Sequence, residues 1–249
     1  MAHDKIEIAT DDGTCDAHVF TPSGEGPWPG VLFYMDGVGI RPALFEIGER
    51  LASAGYYVLL PNLFYRAGGE YVAPDPVKLF TDPEVRAHWT KTYFSTATAP
   101  NLMRDTRAFL AHLGERAPGK VGTTGYCLGG RMSFLAAATY PDRIAAAAAF
   151  HPGGLVTDAP DSPHLLATQI RAKVYVGGAT DDAGFTAEQQ AQLDRALAEA
   201  GVEHEVVTYA AKHGWVPSDT PVHDAAQTER HWTAMLDLFA RTLGRGAAA

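Results

Sequence analysis

Two kinds of apolar pattern alternate along the chain. Short apolar runs at residues 31–34, 56–60 and 174–178 are typical of buried strands. Between such runs apolar residues recur three or four positions apart, as they do over residues 102–113, and this spacing is typical of helices. Repeated alternation of strand and helix predicts an α/β fold with a mostly parallel central sheet and helices on both faces. We expect residues 1–249 to form a single domain.

Three stretches refine this prediction. Residues 6–10 and 15–21 flank Asp11-Asp12-Gly13, which predicts a hairpin. Residues 144–150 contain five consecutive alanines, which favour a helix, but the alternation requires a strand there. Residues 62–98 are the least regular part and carry several aromatic side chains, including Trp89. Long insertions of this kind usually cover a site, so we expect part of a pocket here. Packing of these aromatic residues on the core is the alternative.

The most informative motif is the pentapeptide Gly125-Tyr126-Cys127-Leu128-Gly129. It follows a short apolar run and precedes an Ala-rich stretch that is typical of a helix. The pattern G-x-C-x-G between a strand and a helix is that of a nucleophile elbow with cysteine as the nucleophile. The flanking glycines permit a strained turn, and the positive end of the following helix favours a thiolate. A buried structural cysteine is the alternative.

The partners of such a nucleophile follow it in the order acid, then histidine, each after a later strand. Asp181 lies three residues beyond the apolar run at residues 174–178 and is the predicted acid, with Asp182 in reserve. His213 follows the predicted strand at residues 205–209 and is the predicted base. His151, after residues 144–150, is ranked below His213 because its strand precedes that of the acid. We expect His151 to line the pocket.

The chemistry explains why these three residue types belong together. A free thiol is mostly protonated at neutral pH, and a nearby imidazole makes the attacking thiolate available. His213 would then protonate the leaving alcohol and activate water, while Asp181 would orient the imidazole. The N–H groups of Leu128 and Gly37 are predicted to hold the oxyanion.

Together with the elbow, three further segments resemble the dienelactone hydrolase family over most of the chain. They are residues 34–39, 51–56 and 61–66, the last similar to the family pattern P-D-L-Y-x-R with Asn62 in place of Asp. The resemblance implies a single α/β-hydrolase domain, a Cys-His-Asp triad and hydrolysis of an ester or lactone. It also implies an acid that contacts the resting thiol. Asp36 occupies that position, where the family usually has Glu, and a loop-start aspartate bonded to its own backbone is the alternative.

The substrate pocket departs from the family pattern. Dienelactone-specific members carry an arginine shortly after the histidine, whereas His213 is followed by Gly214 and Trp215. Arg41, Arg66, Arg104 and Arg131 remain as carboxylate partners, although structural or surface roles are expected for each. Besides His151, the candidate pocket residues are Tyr65, Trp89 and Trp215.

Composition narrows the range of partners. The net charge of −9 argues against an extended basic surface for nucleic acid, and no apolar run reaches the length of a membrane span. The cysteines, Cys15 and Cys127, are expected to be free thiols in a cytoplasmic protein. Neither H-E-x-x-H nor C-x-x-C occurs, and we expect no metal and no cofactor. The expected partner is a small-molecule ester or lactone, and the expected oligomeric state is a monomer or dimer.

Two functions are therefore compatible with the sequence. The first is a cysteine-dependent hydrolase of a carboxylic ester or lactone that works through a thioester acyl-enzyme. The second is a hydrolase-fold protein without turnover that binds a small ligand or senses its environment through the thiol. The order Cys127, Asp181, His213 favours the first.

Overall fold

A computed structural model describes residues 1–244, which build one eight-stranded sheet in the order β1-β2-β4-β3-β5-β6-β7-β8. β1 and β2 form the predicted antiparallel hairpin, β2 pairs antiparallel with β4, and β3 to β8 run parallel. The strands are β1 Ala2–Thr10, β2 Gly13–Thr21, β3 Gly30–Tyr34, β4 Tyr57–Pro61, β5 Val121–Tyr126, β6 Ile144–Phe150, β7 Lys173–Ala179 and β8 His204–Tyr209.

Helices cover both faces of this sheet, as predicted. α1 and α7 pack together on one face, where Arg50 of α1 pairs with Glu229 of α7. α4, α5 and α6 lie on the other face. The helices are α1 Pro42–Ser53, α2 Pro76–Thr81, α3 Pro83–Thr92, α4 Ala99–Arg116, α5 Leu128–Thr139, α6 Ala187–Glu199 and α7 Ala225–Leu243. In residues 1–244 no helix combines the length and apolar character needed to cross a membrane.

The run of alanines at residues 144–150 forms strand β6, as predicted against its helix propensity. β6 pairs with β5 on one side and β7 on the other, and α5 and α7 pack on its two faces. A strand covered on both faces has to be apolar on both faces, and alanine admits helices at close range. Tertiary packing therefore overrides the local preference.

The irregular stretch after β4 contains the two short helices α2 and α3. Asp75 caps the first and Asp82 caps the second, each through its side-chain oxygen. Trp89 of α3 packs on Phe64 and Tyr93, so this stretch carries a small aromatic cluster of its own. The cluster places α2 and α3 above the carboxyl ends of the central strands.

The turn between β5 and α5 depends on close backbone contacts. A Cβ atom added at Gly129 would lie 2.2 Å from the carbonyl oxygen of Tyr34 and 2.6 Å from that of Met35. A Cβ at Gly125 would lie 2.3 Å from the carbonyl carbon of Gly129. The start of α5 therefore rests directly on the end of β3, and this contact fixes the height of Cys127 above the sheet.

We expect Gly129→Ala to lower the free energy of unfolding by about 2–3 kcal/mol, because the new methyl group meets fixed backbone oxygens. Urea unfolding followed by circular dichroism measures the change. Gly153→Ala is the matched control, since a Cβ there meets nothing within 4 Å, and it should change stability by less than about 0.5 kcal/mol. Equal effects of the two substitutions would contradict the close-contact explanation.

Candidate active site

Three neighbouring strands end in residues with left-handed backbone. Cys127 follows β5 with φ 53°, His151 follows β6 with φ 37°, and Asp181 follows β7 with φ 56°. Residues other than glycine adopt this conformation at a cost of about 1–3 kcal/mol, and such strain clusters at functional sites. The carboxyl edge of the sheet is therefore the region in which to look for chemistry.

At this edge His213 links a cysteine to an acid. His213 follows β8, its Nδ1 lies 2.7 Å from Asp182 Oδ2, and the Cys127 thiol is close enough to its ring to interact with it electrostatically. The backbone N–H of Thr180 donates to Ala211, which ties the loop after β7 to the loop after β8. Cys127 lies at the N-terminal end of α5, where the helix dipole favours negative charge.

The structure places the reserve residue Asp182, and not the predicted Asp181, against His213. Asp181 is exposed, whereas the carboxylate of Asp182 is buried and accepts hydrogen bonds from His213 and from the N–H of Gly184. The left-handed backbone at Asp181 turns the chain at the end of β7, so that the next side chain faces His213. This turn is not visible in the spacing of the sequence.

The charges of the three groups support one another. Burial opposes the charged form of His213, but the hydrogen bonds and charges of Asp182 and Cys127 outweigh it and raise the pKa of His213 to about 10. Burial likewise disfavours the Asp182 carboxylate, but its hydrogen bond and ion pair with His213 hold its pKa below the usual value. His213 is therefore an imidazolium at neutral pH, facing both the thiol and the carboxylate.

Cys127 and His213 line a mostly apolar cleft of about 280 Å³. The irregular stretch after β4 supplies one wall, as predicted, with Trp89 among its residues, and His151 is part of the floor. The other lining residues are Asp36, Gly37, Val38, Leu79, Phe80, Arg86, Thr90, Phe94, Gly214 and Thr220. The volume fits a small organic molecule.

Asp36 does not have the surroundings expected of an acid that contacts the thiol. Its Oδ1 accepts from the N–H groups of Val38 and Gly39, and Arg41 binds both of its oxygens, at 2.7 and 2.9 Å. The structure therefore supports the alternative, an aspartate at the start of a loop bonded to its own backbone. The reason is Arg41, a buried guanidinium that neutralises the carboxylate in place.

Arg41 also connects two loops of the site. Besides Asp36, it binds Asp219 through Nε at 2.6 Å and through Nη2 at 3.0 Å. Asp36 belongs to the loop after β3, and Asp219 belongs to the loop that carries His213. Burial opposes the charge on Arg41, but the two carboxylates raise its pKa above the usual value. Arg41 is thus a structural residue, as expected.

Two of the four predicted pocket residues lie outside the cleft. The hydroxyl of Tyr65 is bonded to Thr10 and Asp105, on the side of the hairpin. Trp215 is fully buried and stacks on Tyr209, beneath the floor of the cleft. Trp215, two residues after His213, points into the core because the chain turns at Gly214 with φ 96°.

The other arginines named from the sequence differ in their contacts. Arg66 binds Asp12 and Asp105, and Arg104 also binds Asp12, so both serve the packing of α4 on the hairpin. Arg131 of α5 lies beside Gly154. One arginine that does line the cleft is Arg86 of α3, which sequence reasoning missed. The available signal was the position of Arg86 in the irregular stretch, three residues before Trp89 on the same helix.

Within residues 1–244, no cluster of three or more His, Cys, Asp or Glu side chains has the arrangement of a metal site. Cys15 and Cys127 are free thiols. Cys15 is fully buried in the hairpin, and burial raises its pKa far above the usual range for a thiol. Only Cys127 therefore combines an accessible thiol with a charged partner.

A parallel sheet with a cysteine at a strand–turn–helix elbow, and a histidine and an acid after later strands, defines an α/β-hydrolase fold. A family model for the dienelactone hydrolase family matches residues 15–243. The chain belongs to this family and is a hydrolase.

Curated relatives and solved structures agree with this assignment. A protein of Methylorubrum extorquens named "Putative carboxymethylenebutenolidase" is 27% identical over 242 residues, which is 94% of this chain and 79% of the relative. A protein of Escherichia coli with the same name is 28% identical over 239 residues, which is 92% of this chain and 82% of the relative.

Among solved structures, a "Putative Dienelactone Hydrolase" from Klebsiella pneumoniae superposes with a TM-score of 0.83 at 22% identity, covering 96% of this chain and 98% of that one. A dienelactone hydrolase-like promiscuous phosphotriesterase from metagenomic libraries has a TM-score of 0.77 at 22% identity, covering 98% and 99% of the two chains. At this level of identity the two structures show a shared fold.

We expect Cys127 to react with iodoacetamide about tenfold faster at pH 7 in the wild type than in His213→Ala. The His213 imidazolium lies beside the thiol and stabilises the negative charge that develops on the sulfur as it attacks. Mass spectrometry of the labelled peptides gives both rates, and buried Cys15 should label only after unfolding. Equal rates at pH 7 would contradict the charge pairing.

Proposed function

We propose that this protein hydrolyses a small carboxylic ester or lactone through a thioester acyl-enzyme. The observation that carries the proposal is the position of His213, which binds Asp182 and lines an apolar cleft together with the Cys127 thiol. The names of the curated relatives, carboxymethylenebutenolidases, support a lactone as one substrate class.

In the first half-reaction the Cys127 thiolate attacks the carbonyl carbon of the substrate. The oxyanion that forms is held by the N–H groups of Leu128, at the start of α5, and Gly37, in the loop after β3. Trp89 supports this loop, because its indole Nε1 donates to the Gly37 carbonyl at 3.0 Å. The C–O bond then breaks, and the His213 imidazolium gives its proton to the leaving alkoxide.

In the second half-reaction water attacks the thioester. His213, now neutral, takes a proton from the water, and the tetrahedral intermediate expels the Cys127 thiolate to release the acid. The imidazolium and the thiolate are thereby restored. Asp182 holds Nδ1 of His213 throughout, so the other ring nitrogen stays directed at the reacting atoms.

The cleft also suggests which substrates fit. Leu79, Phe80 and Phe94 offer apolar contacts to the part of the substrate away from the scissile bond. Arg86 adds a positive charge that suits a substrate with an acidic group. Because the chain has a net charge of −9, recognition of such an anion would depend on this local contact.

We expect Cys127→Ala and His213→Ala each to lower kcat by at least about 1000-fold toward an aryl acetate and a panel of small lactones. Loss of the nucleophile removes the covalent route, and loss of the imidazole removes both proton transfers. Equal activity in wild type and Cys127→Ala would remove Cys127 from the mechanism. A folded wild type without activity on any ester or lactone would favour a ligand-binding or thiol-sensing role.

The two adjacent aspartates provide a matched pair of variants. Asp182→Asn should lower kcat by about 100-fold, because the amide no longer stabilises the imidazolium. Asp181→Asn should change kcat by less than about twofold, since asparagine tolerates the left-handed backbone and the side chain is exposed. Steady-state kinetics with the same aryl acetate checks both. A larger loss in Asp181→Asn than in Asp182→Asn would contradict the assignment.

A further inference from the structure

His151 is a buried histidine that the mechanism above does not use. Its exposed fraction is 1%, and within the described residues neither ring nitrogen has a hydrogen-bond partner on another residue. Leaving a buried polar group unpaired costs about 1–3 kcal/mol, and the left-handed backbone at this residue adds to the cost. A residue that carries both costs and lines a cleft is expected to bind a ligand through its ring.

The surroundings of His151 are those of the reaction centre. The N–H of Cys127 donates to the carbonyl of Phe150 at 3.0 Å. His151 is the next residue after Phe150 and therefore lies beside the nucleophile. Its ring centroid lies 4.9 Å from that of His213 and 4.8 Å from that of Trp215. The ring is almost fully covered, and it lines the same cleft as Cys127 and His213, so a molecule seated in the cleft lies against it.

The order of the strands tells which part of the reaction His151 faces. Gly37 follows β3 on one side of Cys127, and His151 follows β6 on the opposite side. If the carbonyl oxygen of the substrate is directed to Gly37, the leaving group departs on the side of His151, beneath His213. The hydrolytic water enters from that same side.

The ring has the right charge state to bind water without taking its proton. Burial lowers the pKa of His151 well below the usual value for histidine, and the positive charge of His213 lowers it further. The imidazole is therefore neutral at neutral pH, with one nitrogen that donates a hydrogen bond and one that accepts.

We propose that His151 is a second catalytic histidine, whose free ring nitrogen accepts a hydrogen bond from the water that hydrolyses the thioester. In that step one O–H proton of the water passes to His213, the oxygen bonds to the thioester carbon, and the other O–H remains hydrogen-bonded to His151. The C–S bond then breaks, the thiolate of Cys127 leaves, and His151 ends the step unchanged. The inference rests on the proposed thioester mechanism.

The test compares the two half-reactions in His151→Phe, which keeps a ring of similar size but has no nitrogen. With p-nitrophenyl acetate, release of nitrophenol reports acylation, and the steady-state rate reports turnover. We expect kcat to fall about tenfold to a hundredfold, while kcat/KM, which is set by acylation, changes by less than about twofold. Acetylated Cys127, measured by mass spectrometry after acid quenching, should accumulate above the wild-type level.

Two further variants keep the test independent of folding. His151→Asn accepts the left-handed backbone and offers an amide oxygen to the water, so it should retain more turnover than His151→Phe. His164→Phe removes another buried histidine, one that is bonded to Ser162 and does not line the cleft. The His164→Phe substitution should leave the level of acetylated Cys127 unchanged. All rates are expressed per folded molecule.

The outcomes separate this inference from the proposed function. Unchanged kcat in His151→Phe, an equal loss in kcat and kcat/KM, or a rise in KM alone would overturn the role of His151 in thioester hydrolysis. The last of these results would assign the ring to substrate binding instead. Wild-type activity in Cys127→Ala, with no acetylated cysteine in any variant, would overturn the thioester mechanism itself.

Discussion

The contact of the α5 backbone with the end of β3 is the constraint on which the site depends. Gly129 touches the carbonyl groups of Tyr34 and Met35, so the helix begins directly against the strand. Cys127 is thereby forced into its left-handed conformation at the top of the sheet. The strain is local, and the packing of β5 and α5 compensates for it. The same contact brings the helix N-terminus close to the loop that carries Gly37, as the proposed oxyanion site requires.

A second constraint acts across the cleft. Arg41 binds Asp36 and Asp219 with two hydrogen bonds each, and thereby joins the loop after β3 to the loop that carries His213. A buried charge is costly unless it is paired, and here one guanidinium is paired with two carboxylates. The arrangement fixes the distance between the two loops. It also explains why Asp36 is held in place rather than directed at the thiol.

Much of the fold could be predicted from the chain alone. The hairpin, the parallel strands and the main helices follow from apolar periodicity, and even the alanine-rich β6 follows from the alternation of elements. The pentapeptide around Cys127 and the position of His213 after β8 both predicted a site at the same edge of the sheet. Strands and helices can be predicted because burial on both faces of a strand, or on one face of a helix, imposes a local pattern on the sequence.

The residues that face one another across the site could not be predicted in the same way. The choice between Asp181 and Asp182 depends on one left-handed residue, and the partner of Asp36 depends on a guanidinium that also reaches Asp219. Tyr65 and Trp215 are aromatic and near the motifs, yet they point elsewhere. The sequence by itself determined the class of fold, the elbow and its histidine, because local patterns encode them. Only the tertiary structure decided which aspartate binds His213, how Arg41 joins the two loops and which side chains besides Trp89 and His151 line the cleft, because these depend on side-chain directions set by turns and by contacts between distant segments.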